Sequence, residues 1–202
     1  MDILNYILGN ETTRTKQKTE LNLTEYLEDV IADICKRMPE FSFITDPRRI
    51  LVCLKRAANE SKHGVFAKIV PMNFPSGLPY KEVKGNLYSM PQILTPHGPV
   101  LYIIYFYLPR FLLQDFDKRI LTIIHELYHI SPEFDGTIRM FGGKAHGNSL
   151  KVFNENLKPL VEKYSQQSIH LDLLKADYKA ILHTYTITGR TLTMPKAIRI
   201  RK

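Results

Sequence analysis

Three residues within one helical turn carry the chain's clearest chemistry: His125, Glu126 and His129, in the order His-Glu-x-x-His. On an α-helix, side chains four positions apart lie one turn above each other, so both imidazoles can reach a single ion. Zinc takes such nitrogens, and a catalytic zinc keeps three protein ligands and one position for water. Glu126 lies about 100° round the helix from His125, beside that water without being a ligand. The chemistry implied is hydrolysis: zinc lowers the water pKa towards about 7, and the carboxylate takes its proton as hydroxide attacks a carbonyl. With seven histidines in 202 residues, the string arises by chance in roughly one such chain in a hundred. The bland alternative is an amphipathic helix carrying two incidental histidines.

Two histidines need a third ligand, and three candidates follow them. Glu133 is near in sequence, but Pro132 turns the chain away from the ligand face. Asp135 stands six residues after His129, where the third ligand falls in His-Glu-x-x-His-x-x-Gly-x-x-His enzymes. Here Pro132 replaces the glycine of that turn and cannot take a positive φ. His146 precedes Gly147 and a helix start expected at Asn148 or Ser149, from which its ring can project across to the first helix. Ligand preference and this placement favour His146, with Asp135 as the alternative. Asp135 and Arg139 could pair to fix the loop around the site.

The elements that must position these groups are legible in outline. The metal helix begins near the acidic turn Asp115 to Asp117, carries Ile120, Ile123, Ile124 and Leu127 inward, and is stopped by Pro132. Ahead of it, Val100 to Leu108 is apolar on both faces and reads as a strand with at least one face packed on helices. Ile50 to Leu54 and Val65 to Val70 are further strand candidates. If one of these is a sheet edge beside the metal, an extended peptide could pair with it. A helix capped at Thr24 buries Leu27, Val30, Ile31 and Ile34 and closes at Pro39. Pro71 to Pro99 holds six of the twelve prolines and reads as a loop insertion. The helix after His146 carries Leu150, Val152, Phe153, Leu157, Leu160, Val161 and Tyr164 as its apolar set. A second helical pattern runs from about Ser168 to His183, and Gly189-Arg190 could turn a small hairpin. His97, His170 and His183 share no ligand spacing with the motif and read as loop, surface or core histidines.

Hydrophobic residues at 44% and charged residues at 24% are ordinary for a folded domain. Net charge is +8, and from Tyr178 to Lys202 there are six Lys or Arg and no Asp or Glu. That field favours nucleic acid, anionic membrane or acidic protein partners without choosing among them. Cys35 and Cys53 cannot build a zinc ribbon and read as packed thiols. The opening residues lack the apolar run of a signal peptide, and the stretch Val100 to Leu113 is too short and interrupted to span a bilayer. The expected place is the cytoplasm.

His125-Glu-Leu-Tyr-His129, the Ser131-Pro-Glu-Phe-Asp-Gly136 link and His146-Gly147 ahead of an amphipathic helix resemble SprT-like (Spartan-type) zinc metalloproteases. They resemble more closely the metallopeptidases of phages and archaea, over roughly residues 117–160. The resemblance implies one Zn²⁺ held by His125, His129 and His146, Glu126 as general base, and a polypeptide substrate. Spartan-type proteins space their second block differently, and several carry cysteine ribbons or DNA-binding extensions absent here, so crosslink repair does not transfer. The expected fold is an α+β, zincin-like domain: a small mainly antiparallel or mixed sheet packed on the metal helix, and a following helix with the third ligand at its start. Residues 1–20 are expected to form a flexible segment, 21–165 the metallopeptidase domain, and 166–202 a basic helix and hairpin packed on it. The reading from another class is a basic nucleic-acid-binding protein whose zinc is structural or vestigial.

Overall fold

The most apolar strand of the sequence lies at the centre of the sheet. The computed structural model describes residues 18–61, 63–147, 149–167 and 171–200. In chain order its elements are β1 (Thr19–Asn22), α1 (Leu23–Arg37), β2 (Ile50–Arg56), β3 (Ala67–Pro71), β4 (Tyr80–Val83), β5 (Asn86–Ser89), β6 (Leu94–Thr95), β7 (Gly98–Pro99), β8 (Tyr102–Leu108), α2 (Phe116–Tyr128), α3 (Leu150–Gln167), α4 (Asp172–Lys175), α5 (Tyr178–Thr184), β9 (Tyr185–Thr188) and β10 (Ile198–Ile200). The fold is mixed α+β with small sheets.

The central sheet has the order β2-β8-β3. β2 runs parallel to β8, from Ile50 opposite Tyr102 to Arg56 opposite Leu108, and β3 runs antiparallel, with Ile69 opposite Ile104. Tyr102 to Phe106 are buried on both faces, as a continuous apolar run requires. On one face Leu27, Ile31 and Ile34 of α1 and Ile120, Ile123, Ile124 and Leu127 of α2 pack with Val52, Ile104 and Phe106. Burying each such side chain stabilises by about 1.5–3 kcal/mol. On the other face Cys53, Val70, Ile103 and Tyr105 meet Met72, Val100, Ile93, Leu192 and Met194.

α2 starts at Asp115, whose carboxylate accepts the Lys118 N–H at 3.0 Å. It ends earlier than Pro132: His129 is the C-cap, its N–H shared between the Glu126 and Leu127 carbonyls. The chain then turns back, and Ile130 bridges Ile138. The Arg119 guanidinium ties the helix to α4 by donating to the Leu174 and Ala176 carbonyls at 2.8 and 2.7 Å. No described helix is long and apolar enough to cross a membrane.

Several expectations are corrected. α1 is capped by Asn22, whose side chain accepts the Glu25 N–H, while Thr24 sits inside the first turn and donates to Asn22. The proline-rich insertion folds in part: β4 and β5 form a hairpin about Lys84-Gly85, both at positive φ (50° and 73°), the geometry of a tight two-residue turn. Leu150 and Val152 are exposed, so the buried stripe of α3 is Phe153, Leu157, Val161 and Tyr164. The pattern after Ser168 breaks into α4 and α5. No hairpin forms at Gly189-Arg190. β9 instead pairs parallel with β1, and Arg190 is drawn to the β2 edge: its carbonyl accepts the Leu54 N–H at 2.8 Å and its N–H bonds Thr24 Oγ1. Of the segment 1–20, residues 1–17 lie outside the described residues and Thr19 already belongs to β1; His170 is also outside them.

Candidate metal centre

One turn of α2 places the His125 and His129 rings together, with Nε2 atoms 3.0 Å apart. His146 reaches them from the loop before α3. That loop is tightened by the Phe141–Lys144 bridge across Gly142-Gly143, both at positive φ. Its Nε2 lies 3.1 Å from that of His125 and 3.0 Å from that of His129. Among the described residues this is the group of three or more His, Cys, Asp or Glu whose ligand atoms converge.

α3 holds the triangle from behind. Ser149 starts the helix, its carbonyl accepting the Phe153 N–H at 3.0 Å. Phe153 stacks on His129 with centroids 5.2 Å apart and meets His125 and His146 edge-on at 5.0 and 5.3 Å. Asn154 Oδ1 lies 2.7 Å from His125 Nδ1. A carboxamide oxygen only accepts, so Nδ1 carries the proton and the Nε2 lone pair faces the other two rings. Nothing in the sequence marks Phe153 or Asn154 as part of the site. They stand 28 and 29 positions from His125, and only the packing of α2 on α3 brings them to it.

Burial lowers the pKa of His125 from its ordinary value, and burial, reinforced by the other two histidines, pushes His129 down to about 3. Both rings are therefore neutral near pH 7, the state that ligates a metal. The three Nε2 atoms converge within 3.1 Å of one another, a crowding of electron-rich nitrogens that a cation among them would relieve. A tetrahedral ion with bonds of about 2.0–2.1 Å sets its nitrogens roughly 3.3 Å apart, so the three histidines fit a metal site.

Glu126 points out of the helix at the sheet. It is 7% exposed, and its Oε2 accepts the Ile69 N–H of β3 at 2.8 Å. Burial pushes its carboxyl pKa up to about 7. β3 is one of the two outer strands of the central sheet. The Phe66 carbonyl accepts the Tyr107 N–H of β8, and the Met72 N–H donates to Leu101 just before it, so by the antiparallel alternation the backbone groups of Ala67, Ile69 and Pro71 face away from β8. The Ile69 N–H held by Glu126 is thus an edge amide.

The other candidates lie elsewhere. Asp135 Oδ1 accepts the Thr137 N–H at 3.1 Å and its hydroxyl at 2.7 Å, and Glu133 accepts from the Ser131 hydroxyl. Asp135 and Arg139 do not form the expected pair. With Asp135 satisfied by Thr137, the Arg139 guanidinium lies between the rings of Phe43 and Tyr128, 4.8 and 4.6 Å from their centroids. Its backbone N–H donates to the His129 carbonyl at 2.8 Å and its Nε to that of Ile130 at 3.3 Å, bracing the C-terminal end of the metal helix. Tyr102 anchors the same loop, its hydroxyl donating to the Thr137 carbonyl and accepting the Gly136 N–H. His97 and His183 are exposed and do not belong to the converging group. A cavity of about 600 Å³ adjoins His146, walled by Tyr128, Arg139, Phe141, Phe153 and Leu157.

Comparison with known proteins places this site in context. No curated protein and no solved structure matches the chain. A family described as putative phage metallopeptidase matches residues 19–182, which include both histidine blocks, Glu126, the whole central sheet and α3. The chain therefore belongs to the phage metallopeptidase family.

Proposed function

We propose that the chain is a zinc-dependent peptidase with His125, His129 and His146 as ligands to one Zn²⁺ and Glu126 as general base. The observation that carries this reading is the convergence of three imidazole nitrogens within 3.0–3.1 Å of one another, with a buried carboxylate on the same helical turn. All-nitrogen donors in a set of three suit zinc and leave a fourth position open. The metal supplies Lewis acidity, activating water as the nucleophile and polarising the scissile carbonyl. Glu126, with a pKa raised to about 7, accepts the proton from water and returns it to the leaving amine. Its bond to Ile69 N–H holds the carboxylate at the sheet edge, where an extended polypeptide can pair with the outward groups of β3. Asn154 fixes the tautomer of His125, and Arg139 steadies the backbone behind His129. On this reading the arrangement is zincin-like, and the SprT-like resemblance reflects a shared way of presenting the third histidine. With Cys35 and Cys53 as free thiols, we assign the protein to the cytoplasm.

The test is Glu126→Gln. The variant keeps one equivalent of zinc and loses cleavage of casein or an unfolded polypeptide by about 10²–10⁴-fold. A variant that cleaves like the wild type, or a wild type that holds zinc and cleaves no polypeptide, contradicts the reading.

A further inference from the structure

The basic C-terminal run is not left as a tail. β10 carries it onto the proline-rich insertion, forming a second sheet in the order β10-β5-β4. Arg199 lies opposite Tyr88, and Tyr88 opposite Lys81. Directly opposed residues of antiparallel neighbours project from the same face. Lys81, Tyr88 and Arg199 therefore form a row across three strands, cation, ring, cation, with neighbouring Cβ atoms about 4.5–5.5 Å apart. Alternation sends Glu82, the sheet's carboxylate, to the opposite face with Tyr80, Leu87, Ile198 and Ile200. Lys81 and Arg199 are exposed and Tyr88 is half-buried. Neither cation has an ion-pair partner among the described residues. Lys84 stands exposed at the adjoining turn.

This spacing suits a ligand that alternates negative charge with flat apolar rings. An anionic headgroup would engage the cations and ignore the ring. A nucleic acid strand uses both, its phosphates on Lys and Arg and an unpaired base on the tyrosine face. We propose that this face binds single-stranded nucleic acid, with Tyr88 as the stacking platform and Lys81 and Arg199 on flanking phosphates. None of these residues belongs to the histidine triangle, so the assignment stands independently of peptidase activity.

Fluorescence anisotropy of the full chain with a labelled oligothymidylate of about twelve nucleotides, over about 50–200 mM salt, tests it. Tyr88→Ala binds about tenfold more weakly with an unchanged salt slope, and Tyr88→Phe binds like the wild type. Lys81→Gln with Arg199→Gln lowers the slope of log affinity against log salt by about 1.4, or about 0.7 for each phosphate released. Thermal melts and zinc content confirm that each variant is folded. The proposal is overturned by a wild type that does not bind, by a wild type that binds phosphatidylserine vesicles but not the oligonucleotide, or by variants that keep wild-type affinity and slope.

Discussion

The two outer strands of the central sheet are finished in opposite ways. Along β2 the chain seals its own edge. Glu28 of α1 accepts the Val52 N–H at 3.0 Å, the Arg190 guanidinium donates to the Val52 carbonyl at 2.9 Å, and the Arg190 carbonyl takes the Leu54 N–H. Arg190 and Glu28 are themselves paired at 2.6 Å. Along β3 no further strand pairs among the described residues, and the edge amide of Ile69 meets the carboxylate proposed to do the chemistry. An open edge invites pairing with other chains. On the proposed function, closing one edge with structural bonds and setting Glu126 at the other confines that pairing to the site of cleavage.

The comparison breaks most visibly at Glu126. Beyond its effect on cleavage, Glu126→Gln should change stability in the metal-free protein. A carboxyl whose pKa rises from 4.5 unfolded to about 7 folded binds more protons in the native state across that window. Stability therefore falls as pH rises from about 4.5 to 7, by roughly 3 kcal/mol in all. Chelator-treated Glu126→Gln, lacking this titration, should melt higher than chelator-treated wild type at pH 8 and nearly equally at pH 4.5. Equal melting at pH 8 would show that the buried carboxyl is not strained.

Asn154→Ala comes next. Without its carboxamide, His125 loses the bond that fixes its tautomer, and zinc affinity in a competition titration drops about 10–100-fold. The closed edge should respond differently. Arg190→Ala removes a partly exposed ion pair and one bond to a buried strand, costing about 1–2 kcal/mol, read as a lowered Tm with zinc affinity and turnover unchanged. A loss of turnover in properly folded Arg190→Ala would mean that the two edges are not separate. Smallest is Asp135→Ala, which loosens the Thr137 turn and leaves zinc stoichiometry at one.

What the sequence discloses depends on how local the physics is. The turn holding His125, Glu126 and His129 is legible because helical spacing alone places those groups. The mixed α+β class and the buried central strand follow from apolar patterning. His146 could be weighed against Asp135 by ligand preference, but its approach to the other rings depends on the Gly142-Gly143 turn and on Phe153. The edge strand was undecidable in advance, because edges are set by distant backbone bonds such as Leu54 to Arg190. For the same reason Gly189-Arg190 reads as a local turn in the sequence: its glycine suits one, while Glu28 and Val52, the partners that hold Arg190, lie far back in the chain. The proline-rich insertion hid a hairpin whose third strand comes from more than a hundred residues later.

X-ray absorption at the zinc edge of the one-zinc protein bears most directly on the central claim. The expected shell is three imidazole nitrogens and one further light atom at about 2.0–2.1 Å, falling to two imidazoles or to no bound zinc in His146→Ala. A shell unchanged in His146→Ala and altered in Asp135→Ala would contradict it.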